Sequence, residues 1–408
     1  MAVRSAEIII IGGGAIGCAI AEALARRDAG RVLVIERNTL ASGSTSQAAA
    51  LLTVVRPQPL LIPLVQETLR VIHALSEAAG EELGLHAVGS LHVATTPTTQ
   101  RALIDLVRLA QHFSLRAEWI DRAEASRRAP WLTAPDEARC AFMSDEAFID
   151  PYLLTQALAQ AARQRGAEFI ENCAVTDIAR EANAVTGVTT DHGFISAPLV
   201  IDAAGAWAAL LATPLEVFLP MAPVRSHYWI TAPAELFTPI QPIAILPDAR
   251  AYTRPENGAL LFGVRESAAL SFDPRQLPAQ MNGYVKRYDR NGWQSLLEGL
   301  PSLAQFVPAL PDLPIAHYIA GLSTYTPDGL PLLGGLAGLK GFLAATGCSG
   351  AGMALCGGIG RIIAELATGQ TPLCAIEPFR LERFGVVDPY SADFRARCAA
   401  ARSHKTSG

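Results

Sequence analysis

A glycine-rich turn near the start of the chain constrains the fold more than any other feature of the sequence. Ile8–Ile11 is a continuous aliphatic run, which is typical of a buried parallel strand. The sequence GGGAIG at residues 12–17 follows at once and fits the pattern GxGxxG, and residues 19–27 then have the pattern of a helix. A second apolar run at Val32–Ile35 ends at Glu36. Strand, glycines, helix, strand and acid in this order predict a dinucleotide-binding βαβ unit.

Each glycine of this turn has a separate physical task. Gly12 permits the tight turn, Gly14 lets the backbone approach a pyrophosphate, and Gly17 lets the helix pack closely on the strand. The free N–H groups and the positive dipole end of the helix favour phosphate groups. Glu36 lies where an acid accepts hydrogen bonds from ribose hydroxyls. The motif alone does not separate FAD from NAD.

Composition bounds the class of protein. The chain has 408 residues, of which 50% are hydrophobic and 17% charged, so it can bury a large core, and its length predicts two domains. A net charge of −5 and only three lysines argue against a basic nucleic-acid-binding face. The seven cysteines are scattered without a CxxC pair, which favours a reducing compartment over a disulfide scaffold or a zinc site.

The apolar stretch at residues 8–25 also resembles a signal peptide, but Glu22 and the glycine turn interrupt it. No other run reaches the roughly 18 uninterrupted apolar residues of a membrane span. The run that comes closest, residues 197–224, contains Asp202 and Glu216. We therefore predict a cytoplasmic protein without a transmembrane segment, and its apolar composition leaves peripheral membrane association open.

Three later segments are rich in glycine and other small residues. The stretch ASGSTSQAA at residues 41–49 is small enough to lie along a flat cofactor. A buried strand at residues 199–201 leads into DAAGAW at residues 202–207. A strand at residues 341–345 leads into GCSGAG at residues 347–352, which opens a helix whose N-terminus favours a negatively charged group.

Together these motifs resemble the D-amino-acid oxidase and sarcosine oxidase family, which includes glycine oxidases and dimethylglycine dehydrogenases. The resemblance covers nearly the whole chain. It rests on the first glycine turn with Glu36, the stretch 43–49, residues 203–207, TPDG at residues 326–329, and residues 347–352. It implies an α/β fold, with a Rossmann-like FAD-binding domain of the GR2-type and an inserted α+β substrate domain built on an antiparallel sheet.

The resemblance also implies that both domains are assembled from separate segments of the chain. The FAD-binding domain is expected from residues 1–51, 146–217 and 321–385. The substrate-binding domain is expected from residues 52–145 and 218–320, and residues 386–408 are expected to form a C-terminal tail.

In this family the cofactor is FAD. The resemblance implies that Val175 lies beside the adenine, Ala204 and Gly205 near the pyrophosphate or ribose, and residues 349–353 at the pyrimidine end of the flavin ring. The cofactor-binding candidates are Gly12, Gly14, Ala15, Ile16, Gly17, Glu36, Arg37, Gly43, Ser44, Thr45, Ser46, Gln47, Ala48, Val175, Ala204, Gly205, Trp207, Ser349, Gly350, Ala351, Gly352 and Met353. No metal site is expected.

Two departures from the family pattern predict noncovalent FAD. In dimethylglycine and sarcosine dehydrogenases, a histidine within GSTWHAAG is bonded to the flavin, and Gln47 stands at that position here. Monomeric sarcosine oxidases use a cysteine, and the matching residue here is Gly321. Neither residue can form the bond.

The usual carboxylate anchors of the family are missing as well, since Ser323 replaces an arginine and Ala354 a lysine. We therefore predict that Arg56, which follows the flavin-contacting stretch, binds a substrate carboxylate, because a guanidinium holds a carboxylate bidentately. The alternative is a surface arginine. Tyr252 matches a strand that supplies a substrate tyrosine in sarcosine oxidases, and a core tyrosine is its alternative.

Three further residues are candidates on the substrate side. Tyr325 precedes TPDG and would face the flavin. His227 and Cys348 are better interpreted as structural residues than as a base or a reactive thiolate. The lysine that sarcosine oxidases use for oxygen activation has no counterpart here, since its position falls at residues 262–263. That absence predicts a dehydrogenase, unless Arg265 supplies the positive charge over the ring.

The implied function is FAD-dependent oxidation of the C–N bond of a small amino acid or secondary amine to an imine, by hydride transfer to flavin. Two alternatives remain open at this point. The chain could be the FAD-binding subunit of a hetero-oligomeric dehydrogenase of the amino-acid, opine or proline type, or an FAD-binding module without catalysis. The expected partners are a small-molecule substrate and either further copies of the chain or other subunits.

Overall fold

The computed structural model describes residues 5–80, 82–279 and 283–405. In chain order its α-helices are α1 (Ala15–Ala25), α2 (Ile62–Ala79), α3 (Pro97–His112), α4 (Arg122–Arg128), α5 (Pro151–Gln164), α6 (Ala208–Ala212), α7 (Trp293–Leu303), α8 (Gly352–Ala367) and α9 (Ala392–Ser403). Its strands are β1 (Ile8–Ile11), β2 (Val32–Ile35), β3 (Leu51–Leu52), β4 (Ser90–Ala94), β5 (Ala117–Ile120), β6 (Arg139–Met143), β7 (Ala147–Phe148), β8 (Glu168–Ile170), β9 (Val175–Glu181), β10 (Ala184–Thr190), β11 (Gly193–Ser196), β12 (Leu199–Asp202), β13 (Ala222–Thr231), β14 (Ile243–Leu246), β15 (Ala251–Glu256), β16 (Ala259–Val264), β17 (Ile315–Tyr325), β18 (Leu332–Gly334) and β19 (Phe342–Thr346).

A six-stranded sheet with the order β18-β19-β12-β1-β2-β8 carries the glycine-rich turn. The strands from β19 to β8 are parallel, and β18 joins the edge antiparallel to β19. The four residues of β1 and the four of β2 are all buried, as the continuous apolar runs predict for strands that are covered on both faces. A separate three-stranded antiparallel sheet contains β9, β10 and β11.

Helix α8 packs against both α1 and α2, and glycines make these crossings close. A Cβ at Gly360 would lie 2.6 Å from the carbonyl oxygen of Ala19 in α1. A Cβ at Gly358 would lie 2.4 Å from Cα of Leu64 in α2. Larger residues at these positions would push the helices apart. The glycines of α8 therefore permit close packing of α8 on α1 and α2, which lie more than 270 residues earlier in the chain.

A second, eight-stranded sheet has the order β17-β13-β16-β15-β14-β4-β6-β5. Its pairs are antiparallel except that β14 and β4 run parallel, with Ile243 opposite Ser90. This parallel pair joins the strands of residues 90–143 to those of residues 222–325. The sheet is therefore antiparallel with one parallel junction, which the sequence did not predict.

Two elements cross the segment boundaries expected from the sequence. Strand β17 continues through the expected boundary at residues 320–321 and pairs with β13 along its whole length, so residues 321–325 are hydrogen-bonded to the second sheet. The segment expected as a C-terminal tail contains α9, whose Phe394 and Cys398 are buried against Val224 and Tyr325. Among the described helices, none is both long enough and apolar enough to cross a membrane.

Candidate active site

A cavity of about 500 Å³ lies between the two large sheets. Ile11, Ile35 and Thr346, the last residues of β1, β2 and β19, contribute to its wall on one side. Residues of β13, β15 and β17 in the eight-stranded sheet line the other side. The cavity, called the main cavity below, thus opens at the carboxyl ends of parallel strands, where α/β sheets bind ligands.

Most of the residues predicted to bind the cofactor line the main cavity. These are Gly12, Gly14, Ala15, Ile16, Glu36, Arg37, Gly43, Ser44, Thr45, Gln47, Ala48, Val175, Ala204, Gly205, Trp207, Gly350, Ala351, Gly352 and Met353. Three predicted residues do not belong to this lining: Gly17, Ser46 and Ser349. Gly17 and Ser46 belong to the scaffold around the cavity, and Ser349 lines a second, neighbouring cavity.

The glycine turn is open toward the cavity at one position and closed at another. A Cβ at Gly14 would face only Thr45, with Oγ1 at 3.2 Å, so the missing side chain leaves space beside the start of α1. At Gly17 a Cβ would lie 1.9 Å from the carbonyl oxygen of Gly12. Gly14 therefore shapes the cavity, whereas Gly17 permits the packing of the helix on the turn.

Glu36 supports the same turn. Its carboxylate accepts hydrogen bonds from the backbone N–H of Gly13 at 2.7 Å and of Asn38 at 2.9 Å. Farther along the wall, the guanidinium of Arg37 lies 3.5 Å from the ring centroid of Trp207. This stacked pair is a flat surface at the end of the cavity that Val175 also lines.

The hydroxyl-rich stretch after Glu36 joins the turn to the second sheet. Thr45 Oγ1 accepts a hydrogen bond from the N–H of Ala15 at 3.1 Å, and the Ser44 hydroxyl donates to the carbonyl of Leu322 in β17. Ser46 is exposed and donates instead to the carbonyl of Gly43, at 2.9 Å. The hydroxyls of Ser44 and Thr45 therefore fix this stretch along the cavity.

Gln47 and Gly321, which the family resemblance matches to the two covalent-link positions, lie in contact with each other. A Cβ at Gly321 would lie only 1.8 Å from Oε1 of Gln47. Both positions thus lie at one place beside the main cavity, and neither holds a nucleophile there.

The second glycine-rich turn is held against β17. Ser349 has φ +50° and Gly350 φ +73°, so the chain makes a left-handed turn before α8 begins. The N–H of Ser349 donates to the carbonyl of Thr324 at 2.7 Å, and the N–H of Gly347 donates to the hydroxyl of Thr324 at 3.1 Å. The nearby thiol of Cys348 is buried, and burial raises its pKa to about 12. It is uncharged at neutral pH, as a packing residue would be.

The residues proposed for substrate contact separate into two groups. Tyr252, Tyr325 and Arg265 line the main cavity, and Ser323 and Ala354 line it too. Arg56 does not belong to its lining. The guanidinium of Arg56 turns back on its own segment, where it donates to the carbonyl and the hydroxyl of Thr53, both at 2.9 Å.

Arg56 instead lines the second cavity, of about 540 Å³, which adjoins the main one. Tyr325, Ala351 and Lys405 line both cavities. Arg56 is only 2% exposed. Burial lowers its pKa to about 10, although the negative charge of Glu146 acts to raise it. It is therefore still a cation at neutral pH, and the alternative of a surface arginine is wrong.

Two basic side chains that the sequence did not predict reach the main cavity from the end of α9. Arg402 and Lys405 both line it. Burial, together with the positive charges of Arg56, Arg265 and Arg402, holds the pKa of Lys405 well below its usual value. Lys405 thus brings a lysine to the main cavity from a part of the chain that the sequence did not indicate, and the position that sarcosine oxidases use does lack one. Phe262 is buried in the core, and a Cβ at Gly263 would collide with the ring of Tyr252.

Arg402 belongs to a buried ionic network that the sequence also missed. Glu266 pairs with Arg402 at 3.0 Å and with Arg225 at 2.9 Å, and all three side chains are at most 5% exposed. Burial raises the pKa of Glu266, but the charges of Arg402 and Arg225 outweigh it and hold the pKa below its usual value. Only the fold brings these residues of β13, α9 and the segment after β16 together.

His227, which lines the main cavity, is in contact with this network. Its Nδ1 lies 3.0 Å from the hydroxyl of Tyr318, and its Nε2 lies 3.2 Å from Glu266 Oε1. Burial lowers the pKa of His227 to about 3, although the negative charge of Glu266 acts to raise it. The imidazole is therefore neutral at physiological pH, and its contacts agree with the structural role predicted for it.

The cavity fits an extended dinucleotide that carries a flat ring system. The open space at Gly14, beside the start of α1, suits a pyrophosphate, and the Arg37–Trp207 pair suits a flat base. The far end, lined by Tyr252, Tyr325 and the glycine turn before α8, has room for a second ring system and a substrate. The fold and the site together define a dinucleotide-binding protein.

Comparison with known proteins gives the family. The profile of the FAD-dependent oxidoreductase (DAO) family matches residues 7–366. The chain therefore belongs to the DAO family of FAD-dependent oxidoreductases. The predicted family, the α/β fold class and FAD as the cofactor are thereby confirmed.

Three relatives illustrate the range of the family. Mitochondrial sarcosine dehydrogenase of Mus musculus is 28% identical over 98% of this chain, which covers 43% of that protein. The chain thus spans less than half the length of this relative. Glycine oxidase of Geobacillus kaustophilus is 28% identical over 92% of this chain and 97% of its own. The crystal structure of L-proline dehydrogenase from P. horikoshii superimposes with a TM-score of 0.82 at 25% identity, covering 94% of this chain and 98% of that one.

Proposed function

We propose that this chain binds FAD noncovalently and oxidises the C–N bond of a small amino acid or secondary amine to an imine. The observation that carries the proposal is the continuity of the main cavity. One end has the glycine turn of a dinucleotide site, and the other has Tyr252, Tyr325 and cationic side chains from the second sheet and α9. An anionic substrate is thereby directed to the place where a flavin ring would lie.

The cofactor would be held by the residues that line the first half of the cavity. Gly14 and the start of α1 would face the pyrophosphate, Glu36 the ribose, and the Arg37–Trp207 pair the adenine end. The turn before α8 would place backbone N–H groups and a helix dipole at the flavin end. Gln47 and Gly321 would lie beside the flavin without bonding to it.

Acid precipitation of the purified holoprotein should leave all of its yellow colour in the supernatant. The reason is that neither Gln47 nor Gly321 has a nucleophilic atom. Absorbance at the flavin maximum in the supernatant and in the washed pellet measures the two fractions. Flavin that stays with the pellet after washing would contradict the noncovalent assignment.

Bound FAD supplies a hydride acceptor, and the protein supplies the orientation and charge that make a bound amine a donor. A carbon next to nitrogen gives up hydride only when the nitrogen lone pair is free. Arg265 and Arg402 line the cavity, and like charges disfavour a protonated amine. The neutral imidazole of His227 adds no charge of its own. The cations thus hold a substrate carboxylate and keep the amine unprotonated.

The test is flavin reduction without air. Holoprotein is mixed anaerobically with D-, L- and N-methyl amino acids, and the loss of flavin absorbance is followed. We expect bleaching by a secondary amine in preference to a primary D-amino acid, because Ser323 stands where the enzymes for D-amino acids keep an arginine. Propionate, which has the carboxylate but no amine, is the matched control and should leave the flavin oxidised. A flavin that no amine bleaches would favour the non-catalytic module.

One observation favours the role of a subunit as a second candidate. Helix α7 exposes Trp293 and Leu297, one turn apart, at 49% and 66%. Large apolar side chains at the surface are typical of interfaces. Copurification with smaller subunits would support this alternative, and a homogeneous single chain that turns over with a dye would contradict it.

The electron acceptor and the location belong to the proposal as well. We propose a dehydrogenase, because Phe262 and Gly263 stand where sarcosine oxidases keep the lysine that activates oxygen, although Lys405 brings a different lysine to the main cavity. Comparing the rate of flavin reoxidation by air with the rate of reoxidation by a quinone distinguishes a dehydrogenase from an oxidase. The proposed location is the cytoplasm, with peripheral membrane association as the alternative, and cell fractionation distinguishes them.

A further inference from the structure

Three side chains with metal-binding atoms meet outside both cavities, at one end of the three-stranded sheet. They are Cys173, which precedes β9, and Asp191 and His192, which form the turn between β10 and β11. The thiol sulfur, a carboxylate oxygen and an imidazole nitrogen all lie within 4.8 Å of one another. These three residues line neither the main cavity nor the second cavity. The cluster is therefore separate from the proposed site of amine oxidation.

Hydrogen bonds fix the two halves of this cluster against each other. The N–H of Asp191 donates to the carbonyl of Ala174 at 3.1 Å, and the Asp191 carboxylate accepts from the N–H of Ala174 at 3.0 Å. In the turn, the N–H of His192 donates to the hydroxyl of Thr190 at 3.0 Å, and that hydroxyl donates to the carbonyl of Gly193 at 2.8 Å. The backbone that carries the three side chains is therefore in place before a metal binds.

The charges around the cluster leave it open to a cation. Among the described residues, Asp191 forms an ion pair with neither a lysine nor an arginine, and its carboxylate lies 3.9 Å from His192 Nε2. The carboxylate also keeps lone pairs beyond the one that Ala174 uses. The side chains of Asp191 and His192 are 48% and 62% exposed, whereas Cys173 is 1% exposed. A metal ion would thus enter from the solvent side of the turn and meet the sulfur at the base of the cluster.

We propose that Cys173, Asp191 and His192 bind a zinc ion. A thiolate, an imidazole and a carboxylate are ligands that Zn²⁺ takes in proteins, and water completes the tetrahedron. Magnesium and calcium prefer sites made of oxygen atoms alone. As the Zn–S bond forms, the thiol proton passes to solvent, so the thiolate and the carboxylate balance the two charges of the ion. The sequence did not indicate this site, because its ligands lie in separate segments of the chain.

The rearrangement that zinc requires is small. Bonds of about 2.0–2.3 Å to a tetrahedral zinc ion place the ligand atoms about 3.3–3.8 Å apart. Since no separation in the cluster exceeds 4.8 Å, a contraction of roughly 1 Å closes the site. The exposed side chains of Asp191 and His192 can make this movement by rotation, while the buried Cys173 stays in place.

The site lies behind the wall that we assign to the adenine end of the cofactor. Val175 and Thr176, which follow Cys173 closely in the chain, line the main cavity. The N–H of Cys173 donates to the carbonyl of Glu36 at 3.0 Å. Bound zinc would therefore connect the turn between β10 and β11 to the segment that contacts Glu36, and its role would be structural.

The test is zinc binding by the tag-free holoprotein after metal has been removed with a chelator. Equilibrium dialysis measures the affinity, and the X-ray absorption spectrum of bound zinc counts its sulfur ligands without interference from the flavin. We expect one zinc ion per chain with one sulfur ligand. Cys173→Ser and His192→Gln should each weaken binding by at least about 100-fold, since even the outer partners of a metal ligand contribute about 10- to 100-fold.

Matched variants and the remaining outcomes decide the assignment. Cys140→Ser changes another buried cysteine and His73→Gln another exposed histidine, and both should bind zinc like the wild type. Because His192 is exposed, His192→Gln keeps the test decisive if Cys173→Ser does not fold. No retained zinc, zinc without a sulfur ligand, or an equal loss of affinity in the matched variants would each overturn the site. Zinc binding through Cys173 without bleaching of the flavin by any amine would support the site and count only against the proposed oxidation.

Discussion

Alanine at Gly17 is expected to prevent stable folding, whereas alanine at Gly14 should leave the fold intact and abolish tight FAD binding. The added Cβ at Gly17 would lie 1.9 Å from the carbonyl oxygen of Gly12, and that oxygen is part of the backbone of the turn. The turn cannot move without separating α1 from β1. We expect a loss of at least about 3 kcal/mol in the free energy of unfolding, the upper end for overpacking.

The contrast with Gly14 isolates the effect of space in the cavity. At Gly14, φ is −77°, which alanine adopts without strain, and a Cβ would meet only Thr45 Oγ1, at 3.2 Å. Urea unfolding of the apoprotein and quenching of FAD fluorescence measure stability and affinity separately. A Gly14→Ala protein with wild-type FAD affinity would show that the pyrophosphate does not approach this position. A stable Gly17→Ala protein would show that the turn is more adaptable than its contacts indicate.

Replacing Glu266 by glutamine should cost about 3–5 kcal/mol of folding stability, the range for removing one member of a buried ion pair. The change leaves Arg225 and Arg402 facing an uncharged amide at 4% exposure. Urea unfolding at pH 7 measures the loss. Glu298→Gln in the exposed part of α7 is the matched control, because surface pairs contribute at most about 1 kcal/mol.

The pH dependence of the same variant gives an independent check. The pKa of Glu266 is lower in the folded protein than its usual value. Its contribution to stability is therefore present above the pKa of the unfolded chain, about 4.3, and is lost as the pH falls through the lower folded pKa. The difference between wild type and Glu266→Gln should shrink over that acidic range. A difference that stays constant with pH would mean that packing, and not charge, accounts for the loss.

The sequence was sufficient for the elements whose signals are local. Both strands of the βαβ unit, the first glycine turn and the helix after residues 347–352 agree with the structure because apolar runs and glycines determine them over a few residues. The main cavity accordingly contains most of the residues predicted to bind the cofactor. Their individual roles remain predictions.

The substrate side was predicted less well because its contacts are long-range. Arg402 and Lys405 reach the cavity only because α9 packs on β13 and β17, and no short sequence motif predicts that packing. Arg56 was expected to bind a substrate carboxylate beside the flavin-contacting stretch, but its guanidinium bonds to Thr53 and lines the second cavity. The boundary expected at residues 320–321 falls inside β17, whose pairing with β13 depends on a partner about 90 residues earlier.

The contact between Gln47 and Gly321 has an evolutionary consequence. The family resemblance matches each of these positions to a flavin tether, and here the two share a single volume, since a Cβ at residue 321 would lie 1.8 Å from Oε1 of Gln47. Substitutions at the two positions are therefore epistatic. A lineage of this fold could acquire the cysteine only after shortening or reorienting the side chain at residue 47, and a bulky histidine at residue 47 would favour retaining glycine at residue 321. Competition for this volume would make the two tethers alternatives that separate branches of the family reach independently.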